Sequence, residues 1–578
     1  MIHQCLPQDL NPCGGARKGT FSCLECKRRK TRCNLISGSA PGSPCAAYQR
    51  RGLVCISQEA AANHAPKNRV SPKPKPKPPR GGPPGADNLL GDHTLLLRSG
   101  NPRSPRGPLN VYLHRLLPPR ALIATILKNC HVFKSPLQID QRLSQAQTAD
   151  LAPTDHSVLF ARRLIELAIC LYQLDPASTV ADQLSLQLHG SVGDAARRFS
   201  SLAFNLVLSR DFLVASPEGI EALVIQSLYY ITIGDINAAW LIHRRVSKVA
   251  SLIGLPGLAG TGNDQVESVW FLIIYTDRFL SLALGRPCEI ADDRFADAER
   301  LARQDPAQRL ERIHVLVAGH IIARNLRMQR SKARQGDRDY LEGISRETKQ
   351  VDHQLKRATR ILPTTWWLAT PINPTAPKDE IPKVTARLLE QMHQYYLVFL
   401  SHQPFLIQQV QAHFGDTADY TYSKLAALSA SREVISRFFL LRQYHRSRSY
   451  RVLDDKCLTS SVALLFAHLS SHRLGEFNVL EHQRPHDLGT LEQAIGLMEH
   501  LSTLQREPQG VSHVKILRRP MQIESDAADG TLPHAWTDDT NIEDPDRIWD
   551  EQGIFVLSIP YFGAIHISRQ QQQPGLEP

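Results

Sequence analysis

The sequence predicts a large all-α body that follows a small cysteine-rich module, with a disordered Pro/Lys-rich linker between them. Three observations carry this reading. Seven of the 11 cysteines fall within the first 55 residues. The basic excess sits at the same end: residues 1–110 hold 18 Lys/Arg against 5 Asp/Glu, and the remainder is close to neutral. Beyond that point the chain turns to long amphipathic segments with few strand signals, the pattern of packed helices. At 578 residues it is too long for one compact core. We divide it into a disordered N-terminus (1–18), the cysteine module (19–57), a basic Pro/Gly-rich linker (58–110), the all-α body (111–515) and an acidic, largely disordered tail (516–578).

The module reads "CLECKRRKTRCNLISGSAPGSPCAAYQRRGLVC" from Cys23 to Cys55. Cys23 and Cys26 are spaced like a metal knuckle, Cys33 follows after six residues, and Cys45 follows a Gly/Ser/Pro-rich loop. Four thiolates saturate one tetrahedral zinc, and such a closed set is structural, so metal binding drives the local fold. The opening residues lack the charged start and apolar run of a signal peptide, and a reducing compartment favours metal over disulfides for clustered cysteines. The scattered Cys130, Cys170, Cys288 and Cys457 read as small buried hydrophobes.

Lys27, Arg28, Arg29, Lys30 and Arg32 lie between two of the metal ligands. A short helix pinned there would carry its cations into the major groove of double-stranded DNA, where Lys or Arg reaches guanine O6 and N7. Arg50 and Arg51 fall on the second half of the module and suit phosphate contacts. The plainer alternative for "KRRK" is a nuclear import signal or a solvated charged face.

The linker contains "SPKPKPKPPRGGPPG", too rich in Pro, Gly and Lys to bury a core. It shows no sustained heptads, so no coiled coil marks a dimer, and monomeric and dimeric binding both stay open. In the body, Leu223, Val224, Leu228 and Ile231 follow helical spacing. "GD" at 234–235 makes a turn, and Ala239, Ile242, Val246, Val249 and Ile253 carry a second helix that Gly254 ends. Further helical stretches are expected at 158–174, 267–284, 309–328, 384–411, 423–444 and 459–474, with no fixed repeat period. Asp277 and Arg278 read as a structural charge pair, Arg286 as a brace at a helix end, and Trp366 and Trp367 as core packing or pocket lining. The tail mixes acidic residues with Trp536, Ile542, Ile548, Trp549 and Phe555, a composition that either docks its aromatics on a partner or stays a plain solvated tail.

The module resembles the fungal binuclear zinc cluster (Zn2Cys6) transcription factors, whose pattern is C-x2-C-x6-C, a loop, then C-x2-C-x6–8-C. The first half matches, as do Pro44 and "RRGLVC", but Tyr48 occupies the fifth cysteine position. The resemblance implies one zinc on Cys23, Cys26, Cys33 and Cys45. It implies a second on Cys23, Cys45 and Cys55 with one corner unfilled, because a phenol of pKa near 10 is a poor ligand. The second zinc is then weakened or absent, or is rescued by Cys13, Cys5 or His3. Lys30 would take the principal base contact, to a CGG-like triplet. "EALVIQSLYYITIGDINAAWLIHRRVSKVASLIGL" and "ESVWFLIIYTDRFLSLALGRPCEI" resemble the regulatory middle homology domain of such factors. "YYLVFLSHQPFL" is similar to a later segment usually reading "HRPFL", with Gln403 in place of arginine.

The expected protein is therefore a nuclear regulator of RNA polymerase II transcription whose partners are double-stranded DNA and the transcription machinery or coactivators, leaving room for a homodimer and a small-molecule effector. The alternative is a co-regulator with a degenerate zinc cluster that acts by protein contacts alone. No enzyme motif is present: H-E-x-x-H, Walker, dinucleotide-binding glycines and nucleophile elbow are all missing. No apolar run reaches membrane-spanning length.

Overall fold

The structure is a computed structural model. It describes residues 108–129, 151–259, 261–331, 338–377, 380–411, 420–505, 508–530, 533–538, 555–560 and 563–569. The cysteine module and the linker lie outside the described residues.

Among the described residues the chain forms 18 helices and one small sheet. The first nine are α1 (Pro108–Leu116), α2 (Arg120–Lys128), α3 (Ser157–Gln173), α4 (Thr179–Gln187), α5 (Val192–Ala203), α6 (Asp211–Val214), α7 (Pro217–Thr232), α8 (Ile236–Leu252) and α9 (Leu255–Leu258). There follow α10 (Asp264–Leu284), α11 (Ala298–Arg303), α12 (Pro306–Arg330), α13 (Arg338–Thr359), α14 (Glu380–Gln411), α15 (Thr421–Tyr444), α16 (Arg451–Ser471), α17 (Arg484–Gln505) and α18 (Pro508–Ala528). No described helix is long and apolar enough to cross a membrane.

Local chemistry explains the clearest pair. Ser216 caps α7 by accepting from the Gly219 N–H, and Pro217 pre-sets the first turn. Gly234 adopts φ 81°, the left-handed conformation that ends α7, and Asp235 accepts from the Ala238 N–H to start α8. The turn expected at "GD" is therefore where the chain reverses. All the other stretches expected to be helical lie on helices, although the last of them sits on a helix that begins earlier and ends at Ser471.

Two large hydrophobic cores result. One surrounds α3, which is buried on nearly every side, and takes in Leu223 of α7, Val246 of α8 and Ile273 of α10. The other gathers Leu388 and Met392 of α14, Ile435 of α15, Leu464 of α16 and Leu491 of α17. Phe279 of α10 packs against both.

The segment assigned to an acidic tail begins within α18, which continues to Ala528. Three antiparallel strands follow, β1 (Pro533–Asp538), β2 (Phe555–Ile559) and β3 (Gly563–Arg569), in the order β1-β3-β2, and Ile567 of β3 joins the second core. "FVLSI" and "GAIHIS" are rich in β-branched residues, a strand signal that the acidic composition of the region outweighs.

α14 carries Pro404 in its interior. Proline has no N–H, so the Leu400 carbonyl loses its helical donor and the turn opens. The guanidinium of Arg324, on α12, fills the gap: it donates to the carbonyls of Ser401 (2.6 Å) and Leu400 (3.3 Å), to Thr348 Oγ1 (2.7 Å) and to Asn325 Oδ1 (2.8 Å). Arg324 is 1% exposed, and burial brings its pKa down to about 10, so it stays charged in neutral solution. Removing it strands several buried acceptors, each costing about 1–3 kcal/mol. Arg324→Met should lower the urea midpoint of the full chain, with a loss of about 2–4 kcal/mol. Pro404→Ala in that background should recover part of the loss, because alanine supplies the N–H that proline lacks and restores the Leu400 bond.

Candidate functional site

The residues read as metal ligands and DNA contacts (Cys23, Cys26, Cys33, Cys45 and Cys55; Lys27, Arg28, Arg29, Lys30, Arg32, Arg50 and Arg51) lie outside the described residues, as does Tyr48.

The body residues singled out in the sequence find other roles. Asp277 and Arg278 do not pair with each other, since neighbours on a helix point apart. Asp277 accepts from the backbone N–H groups of Glu289 (2.9 Å) and Ile290 (3.1 Å), with Arg244 3.6 Å away. Arg278 donates to the Val315 carbonyl (2.9 Å) and pairs with Asp293. It also lies so close to Gly319 that a Cβ there would meet its guanidinium at 2.9 Å. Arg286 is a brace as expected: it lies over the Trp240 ring (4.3 Å), and Arg244 lies 4.5 Å from the same ring. Trp366 and Trp367 are half-buried against each other, and neither belongs to the two cores.

Among the described residues, a cavity of about 960 Å³ lies where the two cores meet. Four helices supply much of its lining, each with residues three or four apart on one face. α7 gives Leu228 and Ile231, α10 gives Tyr275 and Phe279, α14 gives Glu390 and His393, and α16 gives Leu453 and Lys456. Much of the wall is aliphatic or aromatic; Glu390, His393 and Lys456 stand together as a polar floor, and Asp175, His445, Arg446 and Asp455 line the cavity as well.

That polar floor is organised by hydrogen bonds behind it. Gln394 Nε2 donates to the Leu355 carbonyl (3.1 Å), which turns Gln394 Oε1 toward His314. His314 Nε2–H then donates to that oxygen (2.8 Å), and His314 Nδ1 faces Glu390 Oε2 at 3.3 Å. His393 Nδ1 stands 3.7 Å from the other Glu390 oxygen, and its ring stacks on Phe279. Neither Glu390 oxygen has a hydrogen-bond donor, and Glu311 Oε1 is also buried without one.

Burial acts on every group here. It raises the Glu390 carboxyl, but the two histidines outweigh it and hold that group ionised, below the usual range. Glu311 has only distant help and is pushed well up, by burial first and then by the Glu390 charge. His393 is lowered to about 4 by burial and by Lys456. Burial takes Lys456 down to about 7, with Glu390 opposing, and its Nζ stands 5.3 Å from the Tyr396 ring centroid.

"EQMH" (390–393) supplies Glu390 and His393 to this floor and "ERIH" (311–314) places His314 behind it, and the repeated Glu-x-x-His spacing is the signal that could have pointed to it. Among the described residues, no group of three or more His, Cys, Asp or Glu side chains could hold a metal ion. The arrangement suits reception of a molecule with a hydrogen-bond donor.

No protein-family model matches the chain, and no solved structure matches it. Curated relatives do. It is 27% identical over 620 residues to a dehydrocurvularin biosynthesis regulator from Alternaria cinerariae, covering 96% of this chain and 77% of that one. A protein of the same description from Aspergillus terreus is 29% identical over 610 residues, covering 96% and 80%. Transcription factor sdnS of Sordaria araneosa is 26% identical over 607 residues, covering 88% and 76%. All are named as regulators or transcription factors and none as an enzyme, in agreement with the sequence reading.

Lys456 tests the electrostatics of the floor. Its folded pKa lies below the ordinary lysine value, so between about pH 7 and about pH 10 the unfolded chain binds more protons and stability rises with pH. Lys456→Met abolishes that dependence. The variant should melt above the parent at pH 7, and its advantage should shrink toward pH 10 in paired thermal melts.

Proposed function

We propose that the chain is a nuclear, sequence-specific regulator of RNA polymerase II transcription that reads DNA through a zinc-held basic segment and is controlled through its helical body. The observation that carries this is the reach of the similarity to named regulators. At 96% of the chain, it leaves fewer residues outside the alignment than the stretch from Cys23 to Cys55 contains. The helical body supports the same reading, because it holds the two middle-homology stretches as capped, packed helices.

In this reading Cys23, Cys26, Cys33 and Cys45 hold one structural zinc. Zinc supplies the rigid clamp that a segment this short cannot build from a hydrophobic core. Lys30 contacts guanine in a CGG-like triplet, while Lys27, Arg28, Arg29 and Arg32 neutralise phosphates beside it, joined by Arg50 and Arg51. Cys55 belongs to a second zinc position that Tyr48 leaves short of a ligand. Tyr48 also favours a second reading, a co-regulator that acts by protein contacts without selecting DNA.

Selection of bound sequences from a random duplex pool by the full chain, with zinc supplied, separates the two. Enrichment of CGG-containing sites supports DNA reading, and no enrichment supports the co-regulator. Lys30→Ala should lose about 1–3 kcal/mol of discrimination between CGG and mismatched sites, whereas a uniform loss on all sequences would reduce Lys30 to a phosphate contact. Zinc counting by native mass spectrometry should find one firmly held ion, and Tyr48→Cys should add a second that resists chelation.

A further inference from the structure

We propose that the cavity between the two cores binds a neutral, largely apolar molecule bearing a hydroxyl or phenol group, whose O–H donates to Glu390. This inference rests on the body alone and does not depend on the DNA-binding reading.

Size comes first. About 960 Å³ lies within the range that encloses drug-sized ligands, and such sites join apolar walls to a few placed polar groups. Leu228, Ile231, Phe279, Leu389 and Leu453 provide the walls here. Glu390 stands among these walls, so a ligand needs an apolar body and a polar group that reaches the carboxylate.

The missing partners then define that group. Glu390 is 3% exposed, lines the cavity and lacks a donor on both oxygens. A buried carboxylate in that state is costly unless something donates to it. Its neighbours do so only weakly: the His314 Nδ1 contact is long at 3.3 Å, and His393 Nδ1 stands at 3.7 Å. A ligand O–H placed beside Glu390 supplies the donor.

Charge excludes the other classes. A carboxylate or phosphate placed where the ligand must meet Glu390 would be repelled by that carboxylate. An ammonium head placed at Glu390 would stand beside Lys456, which the same carboxylate attracts, and the two cations would repel each other. A neutral hydroxyl meets neither obstacle, and Lys456 can donate to an ether or carbonyl oxygen on the same molecule.

The test uses the full chain with two neutral phenols that each carry a single O–H, oestrone and 4-nonylphenol, followed by calorimetry and thermal melts. Saturable one-to-one binding of at least one, with a raised melting temperature, is expected. The methyl ether of the phenol that binds should bind at least tenfold more weakly. Glu390→Gln should weaken the phenol about tenfold and leave the ether unchanged. Leu453→Trp pushes a bulky ring into the cavity beside Lys456 and should weaken binding at least tenfold. If that variant does not fold, Ile231→Trp fills the opposite wall and should do the same. Failure of both phenols to bind would overturn the proposal, as would equal affinity for phenol and ether, tighter binding of dodecylamine, or full affinity in the cavity-filled variant that folds.

Discussion

Much of the body rests on a register lock between three helices. His314 and Arg324 are ten residues apart on α12, and their partners Glu390 and Leu400 are ten apart on α14. α12 and α14 therefore run the same way, held at two polar points separated by about 15 Å. α13 meets those points in reverse order, with Thr348 at Arg324 and Leu355 at Gln394, so it returns antiparallel between them. Apolar faces alone tolerate a slip of one turn, because leucines and isoleucines replace one another with little loss. Directional bonds to a buried guanidinium and an imidazole do not. A one-turn slip would leave Arg324 without the Leu400 and Ser401 carbonyls and His314 without Gln394, each an orphaned polar group in the interior.

The Pro404 break gives that lock a role in positioning. Proline frees the carbonyl that Arg324 then takes, so the weak point of α14 is also its anchor. The half of α14 preceding the break carries Glu390, His393 and Gln394, so the anchor holds the cavity floor in place. His402, just before the proline, is fully buried with Ser423 Oγ 3.2 Å from its Nδ1 and Asp352 3.7 Å from its Nε2. Gln403 is buried as well, and the guanidinium serving this turn arrives from α12 instead of from position 403.

Local features of the body were legible because they depend on neighbours in sequence. Gly234 and Asp235 between two apolar rows mark a turn whatever surrounds it, and Asn263 and Gly285 bound α10 in the same way. The partners of Asp277 and Arg278 were not legible, because they come from the loop after α10 and from α12. The cavity escaped for the same reason: much of its lining comes from four helices spread over more than two hundred residues, and each Glu-x-x-His turn looks like an ordinary half-exposed helix face. α13 was missed because its charged residues hide the apolar row of Ile344, Val351 and Leu355. The cysteine module is the opposite case. Its chemistry is written in short spacings and can be read without any tertiary contact, and it lies outside the described residues.

The position of the cavity has a physical consequence. Phe279 packs against both cores and stacks on His393, so it forms part of the contact between the two halves of the body and part of the polar floor. A cavity at a junction is a different device from one inside a single core. Filling the latter stabilises one cluster, whereas filling the former strengthens the attachment between two. The groups at the floor oppose that attachment when left alone: Lys456 and Glu311 are held away from their preferred charge states, and Glu390 lacks donors. A molecule that satisfies Glu390 while spanning Leu228 on one side and Leu453 on the other relieves the polar cost and adds apolar contact to both cores. Its binding energy is then expressed as tighter docking of the two halves, which is what an equilibrium needs if a small molecule is to shift it.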